Sequence, residues 1–156
     1  MNNRLKITLF TISIAIFGFH MFHLFYLWPN IPERIAIHFT GSGTADNWGS
    51  KYFLLAIPVL SILIWLFIGF LVKRPEKMNY INLTEANKEI QYKRMEIVML
   101  LLQNVSFIAF ILINEAMLRN AVGMASELPF YLALILLAIC VVAPFYLLIW
   151  SATLKY

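Results

Sequence analysis

The chain reads as an all-α, polytopic membrane protein, a single domain over 1–156 with four transmembrane helices in one bundle and a small ordered extracellular loop between the first two. Three observations predict this. First, 62% of the 156 residues are hydrophobic and only 13% charged, with a mean hydropathy of +0.78. A water-soluble domain carries about 45–50% apolar and about 25% charged residues, so a soluble globular enzyme is excluded. Second, four apolar runs stand out at about 7–28, 52–72, 97–118 and 129–150. Each is long enough, at about 1.5 Å per residue, to cross a hydrocarbon core about 30 Å thick. Third, backbone polar groups in lipid must be satisfied within their own segment, which makes each run a helix.

The elements follow in order. Arg4 and Lys6 precede the first run, which ends in bulky aromatics (Phe22, Phe25, Tyr26, Trp28) with no small-x-small cleavage site. It reads as a retained helix and not as a signal peptide. Pro58 in the second run and Pro144 in the fourth lack an N–H and crowd the carbonyls of Leu54 and Cys140, which predicts kinks. Pro129 is a helix-start proline. The loop 73–96 is expected to be helical and continuous with the third span, capped by Asn82 with Glu85 as its capping-box partner and supported by a Glu89–Lys93 pair. Lys73, Arg74 and Lys77 close the second span as a basic collar.

Charge gives an orientation. The net charge is +4. With both termini inside, nine of the twelve Lys and Arg, Lys155 among them, fall on the cytoplasmic side. The positive-inside rule then places 73–96 in the cytoplasm and the loops 29–51 and 119–128 outside. The basic residues are accounted for as topology anchors, and no nucleic-acid-binding motif occurs. A single cysteine, Cys140, rules out an intrachain disulfide or a thiol-rich zinc site.

The outer loop 29–51 carries the most information. Arg34 to Phe39 alternates, with Ile35, Ile37 and Phe39 on one side and Arg34, Ala36 and His38 on the other, as a short strand does. Gly41, Gly43 and Gly49 permit tight turns, and Asp46-Asn47 suits an Asx turn. Trp28 and Trp48 suit the headgroup level. A compact folded cap is expected.

The run Ile35-Ala36-Ile37-His38-Phe39, followed by Gly43-x-x-Asp46-x-Trp48-Gly49-x-Lys51, resembles the signature of a bacterial membrane domain of unknown function. That domain also forms the N-terminal part of the SdpI-type bacteriocin immunity proteins of Gram-positive bacteria. The resemblance covers residues 28–51 and extends loosely through the first two spans. SdpI-type proteins are longer and carry a second membrane domain, and the helices from residue 80 onward offer no comparable match. The resemblance implies a cell-membrane protein related to immunity proteins. His38, Gly43, Asp46, Trp48 and Lys51 become the candidate binding residues.

Polar groups inside the spans are costly in lipid and hence informative. His20 and His23 share a face near the outer end of the first helix. Glu115 lies near the outer end of the third. Asn104 stands eleven residues before Glu115, and Gln103 eleven before Asn114. Eleven residues make about three turns, so these form two adjacent stripes that should turn inward. His20, His23, Asn104 and Glu115 are therefore expected as a polar intramembrane cluster, with His38 or Asp46 reaching it from the cap. Two histidines and a carboxylate are also a zinc-type set, but a hydrogen-bonded cluster that locks the cap to the bundle is the expectation. No metal, cofactor or catalytic residue is assigned. There is no HExxH, no GxSxG and no phosphate loop.

Three functions fit. The first is a non-enzymatic binding or protection protein that sits in the lipid bilayer and meets a peptide toxin or another membrane protein through its cap. The second is a transporter or channel component using the polar stripes of the third helix, which four spans without an inverted repeat would serve only as an oligomer. The third and least supported is a metal-dependent membrane enzyme.

Overall fold

The computed structural model describes residues 3–154. Lys155, counted above for orientation, lies outside them. Four helices dominate: α1 (Asn3–Leu27), α2 (Phe53–Val72), α3 (Lys88–Ala121) and α4 (Glu127–Thr153). All four are long and apolar enough to cross a membrane, and the architecture is that of a multi-pass membrane protein. At 34 residues α3 is about 51 Å long. It outruns a hydrocarbon core by several turns, and its first turns lie beside the end of α4, with Gln91 at Ser151 and Arg94 at Tyr146 and Trp150.

The bundle is built around α3. Helices α1, α2 and α4 each pack on it and touch one another little. The burial pattern says the same. Helix α3 buries thirteen residues, whereas the other three bury three each. What the outer helices bury is mostly small or polar: Ser13 and His20 in α1, Ser61 in α2, Ala133 and Ser151 in α4. Their large apolar side chains point away from the bundle, as with Phe22, Phe67 and Ile149. Apolar burial drives little helix association in lipid, where close packing and interhelical hydrogen bonds act instead.

Those bonds come in three layers along α3. Gln91 accepts a hydrogen bond from Ser151 Oγ of α4 at 2.6 Å. Three turns on, Gln103 Nε2 donates to the carbonyl of Trp65 in α2 at 2.8 Å, and Asn104 Oδ1 accepts from Ser13 Oγ of α1 at 2.9 Å. Gly69 makes room for the first of these, since a Cβ there would stand 2.5 Å from Gln103 Nε2. Three turns further lie Asn114 and Glu115.

Between α1 and α2 the chain forms a β-hairpin, β1 (Arg34–Phe39) and β2 (Ala45–Ser50), paired antiparallel. β1 occupies the segment its alternation predicts. Its sides differ from expectation, because the register slips around Ile37 and both Ile35 and Ala36 are buried. Ile37 instead lies across Gly49, where a Cβ would come within 2.8 Å of it. Asp46-Asn47 is part of β2 and not an Asx turn. The reversal is the three residues Gly41-Ser42-Gly43, closed by Thr40 N–H to Thr44 O at 2.8 Å and Gly43 N–H to Thr40 O at 2.9 Å. Gly43 takes φ +82°, the left-handed residue that such three-residue hairpin loops require. The hairpin sits on the C-terminal end of α3, where Ile31, Ile35, Leu24, Leu54, Met117 and Leu118 form the buried apolar core. Phe39 packs against Phe130 of α4, ring centroids 5.9 Å apart.

At the opposite end the expected early helix start is not found. Asn82 takes φ +53°, which is incompatible with a helix start, and α3 begins at Lys88. The segment before it folds back on Asn87, whose Oδ1 accepts from Thr84 N–H at 2.9 Å and whose Nδ2 donates to Asn82 O at 2.8 Å. Glu85 pairs with Lys88 and forms no capping box. No Glu89–Lys93 ion pair forms among the described residues. Helices α2 and α4 both run on through Pro58 and Pro144.

Candidate functional site

The polar cluster at the hairpin end of α3 begins with a proline. Pro58 has no N–H for the carbonyl of Leu54, its partner one turn back. In lipid that carbonyl must find another donor. Asn114 of α3 supplies it, with Nδ2 donating to Leu54 O at 2.8 Å. The amide orientation follows, because its oxygen would repel that carbonyl. The second proton of Nδ2 then points at His20 Nε2, 2.9 Å away, so Nε2 is the acceptor. His20 carries its proton on Nδ1, which donates to Glu115 Oε2 at 2.8 Å. A proline in α2 thus fixes, through two side chains, which nitrogen of a histidine in α1 faces the acid in α3.

Glu115 gathers the rest. Its Oε1 accepts from His23 Nδ1 at 2.7 Å and from Arg119 Nε at 2.7 Å. Both acid oxygens are therefore used by three N–H donors, with Arg119 one turn on as counter-charge. His20 is 1% exposed, Asn114 0% and Glu115 4%, so the group is desolvated and its mutual bonds are what make it tolerable. Asn114 Oδ1 is buried without a partner.

The structure brings together His20, His23 and Glu115, as expected. It does not place Asn104 with them. Eleven residues of helix separate Asn104 from Glu115 by about 16 Å, and Asn104 bonds Ser13 instead. Nor do His38 and Asp46 reach the cluster. They pair with each other on the hairpin, Nδ1 to Oδ1 at 2.5 Å, with both side chains exposed. Two members, Asn114 and Arg119, lie outside the expected cluster; the spacing places Asn114 only on an inward polar stripe of the third helix. The carbonyl orphaned by Pro58 is the signal for the first. The i,i+4 spacing from Glu115 is the signal for the second.

The remaining hairpin candidates divide by role. Lys51 is engaged at the hairpin base: its Nζ stands 2.8 Å from Glu33 Oε1 and 5.4 Å from the centre of the Trp28 ring. Gly43 shapes the turn. Trp48 lies opposite Ala36 and is 53% exposed. The exposed candidates of the hairpin are thus His38, Asp46 and Trp48.

A crevice of about 390 Å³ opens between α1, α3 and α4 beside the cluster, with His20, Glu115 and Arg119 at one side and Phe19, Leu128 and Leu132 among its apolar walls. The acid facing it already accepts three hydrogen bonds, and among the described residues no Ser, Thr, Cys or Lys side chain lines the crevice. The donor–acceptor distances of 2.7–2.8 Å are those of direct hydrogen bonds. Ligand atoms sharing a tetrahedral zinc ion stand about 3.3 Å apart. Among the described residues no group of His, Cys, Asp and Glu side chains is arranged to hold a metal.

No curated protein and no solved structure matches the chain. One family model does. Residues 15–62 are similar to a domain of unknown function, DUF1648, a stretch that holds His20, His23, the whole hairpin and Pro58, while Asn114, Glu115 and Arg119 lie beyond it.

Proposed function

We propose that this is a non-enzymatic membrane protein that binds a partner through its hairpin, in the manner of an SdpI-like immunity or envelope-interaction protein. The observation that carries the reading is that an anchored hairpin leaves an aromatic and a polar pair exposed. The hairpin is anchored by buried Ile35 and Ala36 and by the Glu33–Lys51 pair at its base. The exposed set is His38, Asp46 and Trp48. The family likeness spans this same element. A rigid platform with an exposed aromatic and a polar pair is suited to recognition, because few groups need ordering on contact. The charge distribution supports an outward hairpin and cytoplasmic termini in a bacterial cell membrane.

A transport path along α3 is less well supported. Its polar layers are separated by buried Phe107 and Ile111, and the Phe107 ring makes tilted contacts with those of Phe17 and Trp65. No continuous polar lining joins them.

The test is challenge with membrane-active peptide toxins. Cells lacking the gene should lose survival against at least one of them. Wild-type protein should restore it, and Trp48→Ala at equal membrane abundance should not. Equal survival of all three strains contradicts the proposal.

A further inference from the structure

We infer that the groove between α1 and α2, at the end of the bundle away from the hairpin, is a binding site for one anionic phospholipid. The groove has a volume of about 510 Å³, within the range of ligand sites. It exists because α1 and α2 both lean on α3 and scarcely touch each other along this stretch. Its walls are Ile7, Phe10, Trp65, Leu66 and Phe70. Ile7, Leu66 and Phe70 are more than half exposed, so the groove opens sideways towards acyl chains and not towards water.

Its mouth is charged. Lys6 from α1 and Lys73 at the end of α2 both line it. Neither has an ion-pair partner among the described residues. The neighbouring Arg74, by contrast, stacks on Phe70 at 4.3 Å. Two unpaired ammonium groups above an apolar slot match a lipid phosphate above its acyl chain, and basic pockets between membrane helices take anionic headgroups for this reason. A neutral zwitterionic lipid fills the slot equally well but brings its own cation to the mouth. A second copy of this chain would bring no phosphate. The slot therefore selects phosphatidylglycerol over phosphatidylcholine. This site is independent of the hairpin and of the role proposed for it.

Trp65 lines the groove and reports on it. In a full-length variant whose other tryptophans (Trp28, Trp48, Trp150) are Phe, reconstituted in phosphatidylcholine vesicles, a few mole per cent of bromine-labelled phosphatidylglycerol should quench Trp65. The same fraction of bromine-labelled phosphatidylcholine should quench it much less. Lys6→Gln with Lys73→Gln should remove that difference, and Lys77→Gln with Lys93→Gln, which deletes equal charge elsewhere at that end, should keep it. Native mass spectrometry of the unaltered protein gives the second readout: one phosphatidylglycerol retained per chain, with retention falling roughly tenfold or more in the Lys6/Lys73 variant. Equal quenching by both lipids, equal loss in both double variants, or a lipid-free dimer in the spectrometer overturns the inference.

Discussion

The two ends of α3 solve the same problem with different chemistry. At the far end Gln91 holds α4 and the preceding loop with neutral groups. It accepts from Ser151 and donates through Nε2 to Ile81 O, Asn82 O and Asn87 Oδ1 at 3.1–3.3 Å. At the hairpin end Glu115 holds α1 with a charge, shared among His20, His23 and Arg119. A neutral amide that loses a partner leaves one or two weak groups unsatisfied. A desolvated acid that disappears leaves three donors, one of them an uncompensated arginine. The lesson is that these layers differ in what their loss costs more than in what their presence contributes.

The largest effect should therefore follow Glu115→Leu. It strands His20, His23 and Arg119, and the expected destabilisation is about 3–5 kcal/mol, read as a lowered unfolding temperature in detergent. Glu115→Gln should cost less, about 1–2 kcal/mol. Its amide can accept at one position only, and its NH₂ must oppose a donor at the other, because His20 cannot switch tautomer while Asn114 holds Nε2. If Gln is as damaging as Leu, charge and not hydrogen bonding governs this end.

Next in size is the link that starts at Pro58. Asn114→Leu orphans the Leu54 carbonyl and His20 Nε2, and should cost about 2–3 kcal/mol. In a Pro58→Ala background residue 58 regains its N–H for Leu54 O, so the same substitution should cost about 1 kcal/mol less. Strict additivity in this cycle would break the proposed link.

The hairpin should respond locally. For Gly43→Val the added Cβ lies an ordinary 3.8 Å from the Phe130 ring. Its penalty is conformational, about 1–2 kcal/mol for a β-branched residue at φ +82°. Proteolysis should quicken within 40–45 while helix content stays unchanged. Loss of the helical signal as well would mean that the hairpin, and not α3, organises the bundle.

The smallest effect lies at the far end. Burial, with Tyr92 and Glu76 nearby, pushes the Tyr80 hydroxyl up to about 12 from its ordinary value of 10. Its hydroxyl donates to Pro75 O at 2.7 Å. A group whose ionisation is delayed in the folded chain adds stability that is complete below pH 10 and lost as pH rises through about 12. Titration of tyrosinate absorbance, compared with Tyr80→Phe, should show one late-ionising tyrosine missing from the variant.

Much of this was legible in the residues. Four apolar runs sufficed for the spans, because lipid permits so few backbone solutions. The alternation in Arg34–Phe39 marked β1. β2 was not legible, since Ala-Asp-Asn-Trp-Gly-Ser carries no strand-forming pattern and exists by pairing with β1. His20, His23 and Glu115 could be matched by depth because ionisable groups in lipid must find one another. Asn104 was misplaced because stripe membership fixes a face and not a height, and three turns of helix exceed any side chain's reach. Capping-box spacing points to Asn82 as the helix start, whereas the side chain that organises the turn is that of Asn87, which the loop folds around.

The central claim is that α3 pins its neighbours through discrete polar layers, the charged one most strongly coupled. Two double-mutant cycles in the same detergent test it most directly: His20→Ala with Glu115→Gln, and Ser151→Ala with Gln91→Leu. The expected coupling is above about 1 kcal/mol for the first and near the membrane-protein average of about 0.6 kcal/mol for the second. A first cycle that couples no more strongly than the second would contradict the claim.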